Sequence, residues 1–357
     1  MLARLALGGY SDADTLARLE RRYSNGIVMI EQAFGGLPDK PTAFLSRRLP
    51  DAVERRAATL FECRHNPHDS ILSPDALSSA AQRCDLLITS AMQPVPASVF
   101  HGLRGTLKAV GTLSVAFNHI DLDAARETGV AIFYSPGVLS DACADLALML
   151  LLNATRRGYE ADSLMRSGAW SDYAPTQLLG IGLSGRRAGI LGLGRIGQAV
   201  ATRLRAFGVE IHYHNRRRLT PVDERRAIYH ATPEDLLVQS DFLLLLTPGT
   251  PELAGFLGRR RIDLLPFQPV VVNISRGDVI DDDALIEALT SGRVYAAGLD
   301  VFRGEPHFDP RYRDLPNVFL TPHIASSTVD TRNAMGFLVL DGVEAFIAGR
   351  KAPNQLC

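Results

Sequence analysis

Three residues late in the chain have the side chains of an acid–base site. Arg276 lies in Asn273-Ile274-Ser275-Arg276-Gly277-Asp278, Glu305 in Gly298-Leu299-Asp300-Val301-Phe302-Arg303-Gly304-Glu305-Pro306, and His323 in Thr321-Pro322-His323-Ile324-Ala325-Ser326-Ser327. An imidazole exchanges a proton near neutral pH, a carboxylate beside it favours the charged ring, and a guanidinium fork grips a carboxylate. Taken singly, a histidine is more often structural and an arginine more often a solvated charge. Their joint placement on loops after predicted strands points to chemistry, because open α/β sheets bind ligands at the carboxyl ends of their strands.

A second constellation concerns phosphate. Gly192-Leu193-Gly194-Arg195-Ile196-Gly197 is a GxGxxG run. Alone it is weak, but a predicted strand, Ala188–Leu191, precedes it and a predicted helix, Gln198–Phe207, follows it. This is the βαβ unit of a dinucleotide site. Gly192 permits the turn, Gly194 lets backbone approach a pyrophosphate, and Gly197 lets helix pack on strand. The helix start offers unpaired N–H groups and a positive dipole end.

The next strand, Glu210–Tyr213, ends in His214-Asn215-Arg216-Arg217-Arg218. An NAD site usually carries an acid there for the ribose 2′-hydroxyl. Here the acid is absent, and guanidiniums that would attract a 2′-phosphate stand in its place. NADP(H) is therefore the expected cofactor, with NAD(H) second. Arg216 is the expected main contact, with Arg217 or Arg218 assisting; a solvated basic run is the bland alternative.

These loops need a scaffold. The chain has 357 residues, enough for about two domains of ordinary size. With 38 Lys+Arg against 39 Asp+Glu the net charge is −1, which gives no support for a nucleic-acid partner. The longest apolar run, Leu146 to Leu152, is far too short to cross a bilayer, and no metal-ligand spacing stands out. Four scattered cysteines suggest reduced thiols in the cytoplasm. Further strands are predicted at Thr42–Leu45, Leu86–Thr89, Leu107–Thr112, Ala131–Tyr134, Phe242–Leu246, Val270–Ile274 and Ala296–Leu299. A long apolar helix is expected from about Leu139 to Arg156, then a polar, Gly-rich stretch, Gly158 to Arg187. Thr232-Pro233-Glu234 and Asp281–Asp283 read as helix starts, and Gly292 as a helix end. Alternating strands and helices imply parallel sheets. Residues 1–39 lack a secretory pattern and read as a loosely attached extension, with Met29 an alternative start; a helix from Asp12 to Tyr23 is the competing expectation.

Together with the glycine motif, these segments resemble the D-2-hydroxyacid dehydrogenases over residues 42 to 350. Within that family they look most like glyoxylate/hydroxypyruvate reductases. Ser114-Val115-Ala116-Phe117-Asn118-His119-Ile120-Asp121 and Tyr134-Ser135-Pro136-Gly137-Val138-Leu139 carry the resemblance in the first half. It implies a Rossmann-type doubly wound cofactor domain, residues 139–323, inserted into a smaller flavodoxin-like α/β substrate domain, residues 40–138 plus 324–357. It also implies a hinge with cleft closure and a homodimer built largely from residues 139 to 185.

Roles follow from the same resemblance. His323 would be the general acid/base, Glu305 its partner, and Arg276 the holder of a 2-oxoacid carboxylate. Asp300 would orient the nicotinamide carboxamide. Gly192, Gly194, Arg195, Ile196, Gly197, Asn215, Arg216 and Arg217 would bind cofactor. The peptide N–H groups of Val115 and Ala116 would receive the substrate carboxylate, and Tyr173, near Trp170, would reach across a dimer. Ala116 stands where the family usually has Gly, and Asn118 where it often has Asp. Nothing in the sequence explains the second change. The reading is reduction of glyoxylate or hydroxypyruvate. Other substrates (D-lactate, an aryl 2-oxoacid, phosphoglycerate) and a non-enzymatic dinucleotide-sensing protein are the alternatives.

Overall fold

Hydrophobic runs alternating with capped helices give two parallel sheets in the computed structural model, which describes residues 40–357. The expectations placed on residues 1–39, including Met29 and a helix at Asp12–Tyr23, lie outside the described residues. The chain divides into two units, one of residues 40–139 with 328–357, the other Ser140–Ser327.

The first unit holds strands β1 (Thr42–Leu45), β2 (Glu62–His65), β3 (Leu86–Ser90), β4 (Ala109–Leu113) and β5 (Ala131–Phe133). They pair in the order β2-β1-β3-β4-β5, all parallel, which is the flavodoxin-like order. Both faces are covered, as a parallel sheet requires. Helices Asp51–Leu60 and Val329–Ile347 pack on one side around Val53, Val339 and Val343, and Pro74–Ala80, Ala97–Gly102 and Leu122–Thr128 on the other around Leu77, Phe100 and Ala125. Gly111 lets the last helix close on β4, since a Cβ there would sit 2.4 Å from Val339 Cγ1. The free edge of β5 is covered by the chain's own end: Leu356 N–H donates to Ile132 O (2.8 Å) and Tyr134 N–H to Asn354 O (3.2 Å).

The second unit holds β6 (Arg187–Leu191), β7 (Glu210–His214), β8 (Ile228–Tyr229), β9 (Phe242–Leu245), β10 (Val270–Asn273), β11 (Ala296–Leu299) and β12 (Val318–Leu320). Their order is β12-β11-β10-β9-β6-β7-β8, again all parallel, the Rossmann order with its switch point between β6 and β9. The apolar helix Ser140–Thr155 packs on this sheet, and Gly298 of β11 meets Leu150 where a Cβ would stand 2.7 Å from its Cβ. Thr232 and Asp281 cap their helices, accepting from Asp235 N–H and Ala284 N–H, and Gly292 turns at φ +74°.

Three strands, β2, β8 and β12, have no counterpart in the expected set. Two are sheet edges of low apolar content or two residues' length, where the alternation signal fails. The stretch from Gly158 is not wholly irregular either: Gly158–Arg166 is a helix, steadied by Arg157 and Glu160. No helix among the described residues is long and apolar enough to cross a membrane.

Candidate active site

The residues that could do chemistry in the second unit sit on loops leaving the carboxyl ends of β6, β7, β10, β11 and β12. His323 follows β12. Its Nδ1 lies 2.7 Å from Glu305 Oε2, and Glu305 Oε1 accepts the N–H of Phe302 at 2.8 Å. Burial would push the Glu305 carboxyl up. The hydrogen bonds from His323 and Phe302, with the charges of His323 and Arg276, outweigh it and hold the carboxyl below its usual range. An ionised Glu305 accepts only, so Nδ1 must donate to it and Nε2 is the nitrogen left to give and take a proton. The side chain of His323 is 40% exposed.

Backbone geometry aims that ring. His323 adopts φ +53°, a left-handed conformation in which its N–H donates to Asp300 O at 2.8 Å. Asp300 is fully buried, and both its oxygens are engaged. Oδ1 accepts from Thr321 Oγ1 (2.6 Å) and Ile324 N–H (2.8 Å), and Oδ2 from Ala325 N–H (2.9 Å). Burial raises its carboxyl despite these donors. The structure thus places Asp300 as a staple of the His323 loop.

Arg276 follows β10. Asn273, fully buried at the strand's end, accepts the N–H of Ser275 (2.9 Å) and donates to Arg276 O (2.9 Å), which folds the loop. Gly249 leaves room for the arginine stem, since a Cβ there would fall 2.5 Å from Arg276 Cγ. Gly277 lies against Phe302 and Arg303, so the Arg276 loop and the Glu305 loop touch backbone to backbone. Burial lowers the Arg276 guanidinium, with Glu305 opposing, but a guanidinium stays cationic in protein. Sequence reasoning assigned no role to Asn273, Thr321 or Gly249. An Asn at the end of a strand with Ser two residues on is the turn signal that could have found the first.

The glycine motif forms the turn between β6 and the helix Arg195–Ala206. Gly192 has φ +101°, and Gly197 Cβ would lie 2.4 Å from Gly192 O. A Cβ on Gly194 would meet nothing within 4 Å, and as helix cap Gly194 supplies no side-chain acceptor. The helix therefore presents open, uncapped N–H groups, as a pyrophosphate requires. At the end of β7, Asn215 Oδ1 accepts Leu193 N–H at 2.7 Å. Arg216, Arg217 and Arg218 are all exposed, and Arg218 is also bound to Glu224. The residues fit a dinucleotide.

Val115, Ala116 and Asn118 lie in the other unit, after β4. There His119 Nε2 meets Thr112 Oγ1 at 3.0 Å and Ser135 N–H donates to Ser114 O at 2.9 Å, holding that loop between β4 and β5. Tyr173 is 76% exposed and Trp170 50%.

Known proteins resemble this chain over most of its length. The model of the D-isomer specific 2-hydroxyacid dehydrogenase NAD-binding domain matches residues 148–325. The glyoxylate reductase of Thermococcus litoralis is 36% identical over 319 residues, 88% of this chain and 96% of that one. A crystal structure from a Polaromonas species, provisionally named a D-isomer specific 2-hydroxyacid dehydrogenase, is 51% identical with a TM-score of 0.87, covering 89% of this chain and 100% of that one. The NADPH-dependent glyoxylate/hydroxypyruvate reductase of Sinorhizobium meliloti, solved with NADP and malonate, is 30% identical with a TM-score of 0.78, covering 89% and 97%. With its Rossmann-order sheet, glycine turn and paired histidine and glutamate, this chain belongs to the D-2-hydroxyacid dehydrogenase family.

Proposed function

We propose that this chain reduces glyoxylate and hydroxypyruvate to the 2-hydroxyacids with NADPH. The observation that carries the reading is the Glu305–His323 hydrogen bond of 2.7 Å, on a loop system whose next loop presents Arg276. When bound, the dinucleotide supplies the hydride. Arg276 grips the oxoacid carboxylate and polarises its carbonyl. His323 Nε2 donates the proton that the carbonyl oxygen takes up, and Glu305, bonded to Nδ1, orients the ring. In the oxidative direction the same nitrogen takes the proton back. Val115 and Ala116 are proposed as further substrate contacts and Asp300 as a neighbour of the nicotinamide.

The names of the Thermococcus and Sinorhizobium relatives support the substrate class. The exposed Arg216 and Arg217, where an NAD site would carry an acid, support NADPH. A homodimer through residues 139–185, reached by the exposed Tyr173, and a cytoplasmic setting for the four free cysteines belong to the same proposal.

A steady-state panel of glyoxylate, hydroxypyruvate, pyruvate and phenylpyruvate with both cofactors tests the reading. It expects the highest kcat/KM for glyoxylate or hydroxypyruvate with NADPH. Tight NADPH binding with no turnover of any oxoacid would favour a dinucleotide-sensing protein instead. Replacing Asn215 with Asp and Arg216 with Ala is expected to shift the NADPH:NADH ratio of kcat/KM by about tenfold or more toward NADH, the scale of one lost charge-assisted contact.

A further inference from the structure

The loop that carries Arg216 and Arg217 is fastened at both ends. At its start, Asn215 is tied to the glycine turn through Leu193 N–H. At its end, the hydroxyl of fully buried Tyr213 accepts Leu219 N–H at 3.1 Å and donates to Glu224 Oε1 at 2.7 Å. Glu224, only 8% exposed, also receives Arg218 through Nε to Oε1 (2.7 Å) and Nη2 to Oε2 (3.2 Å). The Arg218 guanidinium then lies 5.6 Å over the ring of Tyr229 on β8. Between the two anchors stand only Arg216 and Arg217.

Arg218 is thus engaged through Nε and Nη2 while its side chain stays 63% exposed, and its charge is matched by a carboxylate. A bare Glu224 beside this loop would repel a phosphate as the acid of an NAD site does. Burial and the neighbouring carboxylate push the Tyr213 hydroxyl up to about 12, so it remains a donor across the working pH range.

Resting on the NADPH reading, we propose that Tyr213, Glu224 and Arg218 form a clasp that sets the position of Arg216 and Arg217, so that Arg218 is a positioning residue for cofactor selection and not a 2′-phosphate ligand.

Tyr213→Phe decides between the two roles, because it removes no charge and no candidate phosphate contact. The full-length enzyme is assayed for kcat/KM with NADPH and NADH, beside Glu224→Gln and Arg216→Ala, with thermal melts to establish folding. The clasp predicts that the NADPH:NADH ratio falls about three- to tenfold in both Tyr213→Phe and Glu224→Gln, mainly through the KM for NADPH, as loss of an intramolecular hydrogen bond would give. If Tyr213→Phe does not fold, Glu224→Gln carries the test alone. An unchanged ratio overturns the clasp, and a rise in Glu224→Gln marks Arg218 as a phosphate ligand released to act. Failure of the underlying reading shows elsewhere: the unaltered enzyme would prefer NADH, or Arg216→Ala would leave the ratio where it was.

Discussion

Two loops of the Rossmann-order unit are each pinned by a buried carboxylate, and the pins differ in kind. Asp300 meets only neutral donors, two peptide N–H groups and the Thr321 hydroxyl. Glu224 meets a guanidinium and a phenol. Burial therefore raises the Asp300 carboxyl. The hydrogen bond from Arg218, then that from Tyr213, lowers the Glu224 carboxyl. Peptide donors are fixed by the backbone they belong to, so the Asp300 staple dictates where His323 points. An ion pair whose arginine side chain is 63% exposed is softer and screened by salt. The contrast matches the tasks proposed for the loops. Proton transfer needs placement to a fraction of an ångström, whereas attraction of a phosphate tolerates more slack.

His323→Gln should lower turnover by on the order of 10²–10⁴ while cofactor binding persists. Near-normal turnover in that variant, read by NADPH oxidation, removes His323 from the chemistry. Next in size, Asp300→Ala removes the acceptor shared by the Thr321 hydroxyl and the Ile324 and Ala325 N–H groups and should cost about 3 kcal/mol of stability by denaturant unfolding, with a loss of turnover as the His323 loop loosens. An Asp300→Ala enzyme of full stability would show that the staple does not bear on the fold.

The smallest effect is in the pH dependence, and its sign separates the carboxylates. Glu305 is held low in the fold, so its contribution is present above the unfolded carboxylate value and is lost as pH falls through the folded one. Asp300 is raised, so its contribution is full below the unfolded value and is lost as pH rises through the folded one. Melting curves from neutral pH into the carboxylate range should show a flatter acid loss for Glu305→Gln and a steeper one for Asp300→Asn. Equal slopes in the two variants would contradict the assignment of the shifts.

Much of this was legible in the residues. Nine predicted strands correspond to β1, β3 to β7 and β9 to β11, because each is a short apolar run bounded by turn or cap residues. Gly192 and Gly197 announced their turn because a backbone that must take φ +101°, or lie where a Cβ would fall 2.4 Å from Gly192 O, admits little else. Less legible were β2 and β8, whose edge positions lack the apolar signal, and the engagement of Arg218, which as one of three consecutive arginines looked interchangeable with its neighbours.

The sequence by itself determined the alternation of strands and helices, the glycine turn and the absence of an acid after β7, since these depend on local conformation and residue type. Only the tertiary structure decided which partner each buried polar group found. Asn273 turns back on its own loop, Asp300 reaches residues 21 to 25 positions on, and the chain's last residues cover β5, more than 200 positions away. Burial requires that each such group be satisfied, but which donor satisfies it follows from the folded path of the chain and not from its local pattern.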